Sequence, residues 1–167
     1  DGSKYKNAYF STFPGIWHHG DFIRISEEGS LKIYGRSDST LNPGGIRIGT
    51  SEIYRVVNSL DIIEDSLVIG QEWEGDQRII LFVLMINDLP LEKDIIDQIK
   101  FQIKNGCSPR HIPSKIIKVK GIPYTINGKK VEVAVKKVIE GKTVTNKESL
   151  SNPETLGQFR NIPELLN

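Results

Sequence analysis

The 167-residue chain has one cysteine, Cys107, so no internal disulfide can form and no pair of thiolates can grip a structural zinc. His18, His19 and His111 are too scattered for the usual ligand spacings, and no protein-held metal is expected. A nucleophile built from Cys107 and His111, four residues apart, is disfavoured because the thiol runs into Ser108-Pro109 in a loop and nothing further supports it. An excess of charge of one sign is also lacking. With 22 basic and 21 acidic side chains the net charge is +1, too weak a field to argue for nucleic acid or an anionic membrane as partner. The longest uninterrupted apolar run, Ile79 to Ile86, falls far short of the roughly 20 residues a helix needs to cross a bilayer. Together with the lone thiol, these features suit a reducing cytoplasm. Met85, within that run, is the one methionine, and the chain is expected to be a piece of a longer protein.

What is present reads as a soluble α+β chain, long enough for one domain and a tail. Phe22-Ile23-Arg24-Ile25 and Leu31-Lys32-Ile33-Tyr34 alternate as strands and predict a β-hairpin turning at Glu28-Gly29. Ser37 to Gly49, centred on Asn42-Pro43-Gly44-Gly45, has little to bury and reads as a linker or tight turn. Ile53, Val56, Val57 and Leu60 make one helical stripe, which Thr50 or Ser51 can cap. Ile63 to Ile69 and Arg78 to Ile86 predict neighbouring core strands. Ile96, Ile99 and Ile103 predict a helix between Leu91 and Lys104 that ends before Gly106, with acids in its first turn and Lys104 in its last. Lys115 to Lys120 alternates as a strand, and Val131, Ala134, Val135 and Val138 share a helical face. The order after the linker is thus α-β-β-α-β-α. Asn152-Pro153 opens a short terminal helix, with Asn152 as its cap.

Four short features could carry chemistry: His19-Gly20-Asp21, Gly35-Arg36-Ser37-Asp38, Gly44-Gly45-Ile46-Arg47 and Asn127-Gly128-Lys129-Lys130. Each has a plain reading. Asp21 and Asp38 suit turns, the Gly-Gly and Asn-Gly pairs suit hairpin loops, and Lys129 is one exposed lysine among many.

In this order, with Arg36 and Arg47 eleven apart and an apolar helix following the glycine pair, the four features resemble the closing motifs of the adenylate-forming superfamily. Arg110-His111-Ile112-Pro113 and the run from Gly121-Ile122-Pro123-Tyr124 to Val135-Lys136 resemble one branch of its acyl-CoA synthetases, the one that activates acetoacetate, as does Ser151-Asn152-Pro153-Glu154-Thr155-Leu156. The resemblance implies an α+β lid domain: a mixed three-stranded sheet flanked by helices, preceded by the last β-hairpin of a large amino-terminal domain. It divides the chain into residues 1–37 ending the large domain, 38–142 as mobile lid and 143–167 as a helical tail. It implies ATP, Mg2+ and coenzyme A as substrates beside a small acid, and an upstream domain of the same chain as partner.

By the same resemblance Lys129 is the catalytic lysine, Asp21 holds the ribose hydroxyls, Arg36 holds the nucleotide from the hinge side, Arg47 contacts the leaving pyrophosphate in the first conformation, and Asp38 is the hinge about which the lid turns. Gly45 lies by the coenzyme A channel, and Lys104 matches loosely a residue meeting a coenzyme A phosphate. Pro123 ahead of Gly128-Lys129 resembles contexts acetylated in this superfamily, which implies a lysine acetyltransferase acting on Lys129. Asp38 is followed by Ser39 where many relatives carry a second acid. The phosphate loop and acyl pocket of the superfamily have no counterpart in this sequence, so the chain alone is not expected to be active. Two alternatives stand beside this reading: a relative acting on acetate, propionate or a longer acid, and a non-catalytic α+β binding module.

Overall fold

The structure is a computed structural model and describes residues 2–166. Strand β1 (Asp21–Ile25) pairs antiparallel with β2 (Leu31–Arg36), setting Ile23 opposite Ile33 and Ile25 opposite Leu31. Opposed residues share a face, so this ribbon has one aliphatic side, and all four side chains are 55% to 68% exposed. Ahead of it lies α1 (Ser3–Phe10), which the sequence pattern does not announce. It has no apolar stripe and is held by aromatic contact, with Tyr9 stacked on Trp17 at 4.3 Å and Phe10 edge-on to the same ring.

The second sheet contains β3 (Ile63–Trp73), β4 (Asp76–Met85) and β5 (Lys115–Val119), ordered β3-β4-β5. β3 and β4 run antiparallel, whereas β4 and β5 run parallel. A parallel neighbour requires a crossover, and the segment from β4 to β5 supplies it with helix α3 (Lys93–Gly106). The β3–β4 hairpin extends beyond the apolar runs, because Glu74 (φ 51°) and Gly75 (φ 82°) both adopt the left-handed region that a two-residue turn of this kind needs.

Alternation along the strands sends Val68, Leu81 and Val83 to one face, where they pack with Ile53 and Val57 of α2 (Thr50–Val57) and Ile99 and Ile103 of α3. Leu67, Ile69, Ile80 and Phe82 face the other way, against Val135 of α4 (Glu132–Ile139) and against Leu156, Phe159 and Leu165 of the tail. Burial on both faces explains why these strands read as continuous apolar runs.

Four local expectations need correction. The segment from Ser37 to Gly49, read as having little to bury, places Leu41 and Ile48 in the core, bridged antiparallel and each 1% exposed. Neither Thr50 nor Ser51 caps α2; the cap position is Gly49, without a side-chain bond. The backbone there is pressed against β2, where a Cβ would lie 2.5 Å from the Tyr34 carbonyl oxygen, so only glycine fits. Helix α3 continues through Gly106, which lies beneath Val56 with room for no side chain. The tail forms 3-10 turns, Pro153–Phe159 and Pro163–Leu165. Asn152 caps neither, since its amide is committed to Tyr124 N–H and the Ile122 carbonyl, at 2.8 and 2.9 Å.

Candidate active site

Asn127-Gly128 makes the tight turn that its composition suggests. Tyr124 and Lys130 bridge antiparallel across it. Thr125 N–H donates to the Lys129 carbonyl at 2.8 Å and Gly128 N–H to the Thr125 carbonyl at 2.9 Å, while Lys129 N–H donates to Thr125 Oγ1 at 3.0 Å. Gly128, at φ 69°, occupies the left-handed region that glycine enters without strain. The turn leaves the Lys129 side chain exposed at the mouth of a cleft of about 440 Å3 whose lining also includes Arg36, Asp38, Glu132 and Lys137.

Arg36, Asp38 and Lys129, named separately from the sequence, therefore share one cleft. Arg36 Nε donates to Asp38 Oδ1 at 3.4 Å, and its guanidinium lies against buried Gly20, where an added Cβ would stand 3.4 Å away. Asp21 is the cross-strand partner of Arg36 at the open end of the hairpin and is hydrogen-bonded to the His19 imidazole. An acid with acceptor oxygens and a guanidinium fork thus stand side by side, an arrangement suited to hydroxyl and phosphate groups. Arg47 lies outside the cleft, its guanidinium 3.8 Å from the centre of the Phe22 ring. Gly45 (φ 77°) sits on a turn tied to the β3–β4 hairpin through Gly44 N–H, which donates to the Asp76 carboxylate at 3.0 Å. Lys104 is exposed near the end of α3 and also lies outside the cleft.

Beneath Lys129 is a polar cluster that sequence reading missed. The Lys130 ammonium pairs with Asp65 and donates to the Ser66 carbonyl. It stands 4.4 Å from the centre of the Tyr54 ring and 5.9 Å from that of Tyr124, within reach of cation–π attraction. The Tyr124 phenol donates to Asp65; the Tyr54 phenol donates to Glu132 at 2.9 Å and accepts from Val68 N–H at 3.0 Å. Burial, and then the Glu132 charge, push the Tyr54 phenol well above its ordinary pKa. Burial followed by the hydrogen bond to Asp65 does the same for Tyr124. Both phenols therefore remain protonated donors throughout the working pH range. The only sequence signal for this cluster was the doubling of lysine at 129 and 130, which does not say which of the two turns inward.

Fold and ordered motifs together match the carboxy-terminal domain of adenylate-forming acyl-CoA synthetases. Along its whole length the chain is similar to acetoacetyl-CoA synthetases: it is 51% identical over 167 residues to the enzyme of that name from Mus musculus, covering 99% of this chain and 25% of that one. The corresponding protein of Rhizobium meliloti (strain 1021) is 50% identical over 165 residues, with the same coverage. The solved acetoacetyl-CoA synthetase of Streptomyces lividans superposes with a TM-score of 0.86 at 39% identity, covering 100% of this chain and 25% of that structure. The chain thus spans about a quarter of the length of the relatives it matches. No protein-family profile matches it.

Proposed function

We propose that this chain is the mobile lid, with the end of the preceding domain, of a cytoplasmic ATP-dependent acetoacetate:CoA ligase. The enzyme forms acetoacetyl-AMP and pyrophosphate, then passes the acyl group to the coenzyme A thiol and releases AMP. The observation that carries this reading is the convergence of Lys129, Arg36 and Asp38 on one cleft; the match to acetoacetyl-CoA synthetases along the whole chain supports the choice of acid.

In the first step a carboxylate attacks the α-phosphate, anion against anion, and charge grows on the nonbridging oxygens. A fixed ammonium aimed at those oxygens lowers that barrier. Lys129 is built for the task, because its turn projects from the lid and Gly128 adds no side chain that would hold the nucleotide away. Asp21 takes the ribose hydroxyls, Arg36 steadies the nucleotide from the hinge side, and Arg47 leaves the Phe22 ring to meet phosphate in the adenylating orientation. Rotation about Asp38 then exchanges the Lys129 face for the Gly45 face. Lys104 meets a coenzyme A phosphate. ATP brings Mg2+ on its phosphates. Among the described residues no group of three or more His, Cys, Asp or Glu side chains is placed to hold a metal ion.

The upstream domain covers the aliphatic side of the β1–β2 ribbon and holds the adenine and acyl pockets, so this piece alone is inactive. Acetylation of Lys129 by a lysine acetyltransferase deletes the charge that adenylation uses; mass spectrometry of the peptide bearing Lys129, set against the activity of the same sample, tests that regulation.

A panel of acids tests the substrate. The full-length protein is expected to turn over acetoacetate with the highest kcat/KM, and a clear preference for acetate, propionate or a longer acid would overturn the choice. Gly45→Leu is expected to slow transfer to coenzyme A at least tenfold more than adenylate formation, as a side chain enters the thiol channel. Left-handed strain at this position acts in either orientation and costs about 1–2 kcal/mol. Equal loss in both half-reactions would therefore point to strain alone.

A further inference from the structure

We infer that Asp65 is a positioning residue for Lys129: one carboxylate on the open edge of the lid sheet holds both feet of the turn that presents the lysine. The inference rests on the reading of Lys129 given above. The turn from Tyr124 to Lys130 leaves the body of the lid at two points, the two residues of its bridge. The Tyr124 phenol donates to Asp65 Oδ2 and the Lys130 ammonium pairs with Oδ1. Residues 126–129, between the feet, are exposed, so the direction in which Lys129 leaves the surface is set at the feet.

The anchor is rigid because of where it stands. β3 has a neighbour on one side only, and its open edge is closed by side chains: Lys130 on the Ser66 carbonyl and Tyr54 on Val68 N–H. An edge strand leaves such groups unpaired, and here the foundation of the turn satisfies them. The register of β3 shifts between Ile63 and Asp65. That irregularity lets Ile63 pack with the α2 and α3 core while Asp65 falls on the same face as Leu67 and Ile69, toward the turn. The Lys130 and Asp65 side chains are each 17% exposed, so little water competes for either, and the Tyr54 and Tyr124 rings flank the ammonium. A long lysine reaching a reacting phosphate tolerates little error at its base, since a displacement of about 1 Å can cost roughly a hundredfold in rate.

The test uses full-length enzyme and measures two half-reactions separately: adenylate formation from ATP and acetoacetate, and transfer to coenzyme A from supplied acetoacetyl-adenylate. Asp65→Asn is expected to lower adenylate formation about ten- to a hundredfold and to leave transfer within about twofold. Tyr124→Phe, which removes one foot and keeps the ring, is expected to give a smaller loss of the same kind; it also serves if Asp65→Asn does not fold. In the Lys129→Ala background neither change should lower adenylate formation further, because a base that no longer carries the ammonium has nothing to aim. Equal loss in both half-reactions, full multiplicative losses on top of Lys129→Ala, or unaltered adenylate formation in both variants would overturn the inference. If Lys129→Ala itself leaves adenylate formation intact, the reading of Lys129 fails; if it abolishes that step while Asp65→Asn and Tyr124→Phe do not touch it, the positioning role alone fails.

Discussion

Lys129→Ala in the complete enzyme is expected to cut the rate of adenylate formation by about 10²- to 10³-fold, the usual consequence of removing one group aimed at a developing oxyanion. Transfer of supplied acetoacetyl-adenylate to coenzyme A should survive. The asymmetry follows from the charges. Joining a carboxylate to the α-phosphate gathers negative charge at phosphorus, whereas thiol attack on the acyl carbon places it elsewhere and, on the function proposed above, follows the turn of the lid. The exposed position of Lys129 makes the experiment clean: its backbone bonds close within the turn and all remain available to alanine, so the fold should not respond. Rapid-quench measurement of adenylate and steady-state measurement of thioester separate the two steps. A variant that loses both equally would falsify the assignment.

Phe159→Ala is expected to destabilise the lid by about 3–5 kcal/mol, the range for emptying a buried aromatic site. Phe159 is 0% exposed, and its ring meets Phe82 edge-on at 4.9 Å in the middle of the sheet. Domains have only about 5–15 kcal/mol in total, so this substitution alone should bring the lid near unfolding and lower its melting temperature by roughly 10 °C. The size of the effect tests whether the tail is part of the core. Leu156, Phe159 and Leu165 close the face of the sheet opposite α2 and α3; a loss under about 1 kcal/mol would mean that the tail detaches without consequence. Thermal unfolding of Phe159→Ala beside the unaltered chain decides it.

The central strands were legible because burial on both faces leaves unbroken runs of isoleucine, leucine and valine, and α2, α3 and α4 because one helical stripe each faces that sheet. Helix α1 was not legible: Tyr5, Tyr9 and Phe10 find Trp17 rather than a core, and aromatic residues alone do not mark a period. Caps were misread for a different reason. Gly49 holds the start of α2 through its approach to β2, and Asn152 is used by Tyr124 and Ile122 across the fold; both depend on partners that no local window contains. In the candidate site, glycines and charges in a fixed order marked Arg36, Asp38 and Lys129. The groups that hold the turn in place were invisible, since Asp65 and Lys130 lie 65 positions apart and a carboxylate in an apolar strand has no local pattern to betray its partner.

A two-stranded ribbon is marginal by itself in water, and this one turns Ile23, Ile25, Leu31 and Ile33 toward solvent. The start of α2, where Gly49 lies against Tyr34, steadies it in part, and the rest of its stiffness falls to whatever seats against those four side chains. On the function proposed above, Asp21 and Arg36, at the end of the ribbon, depend for their aim on that seat being filled, whereas the turn of Lys129 brings its own foundation, Asp65, with it.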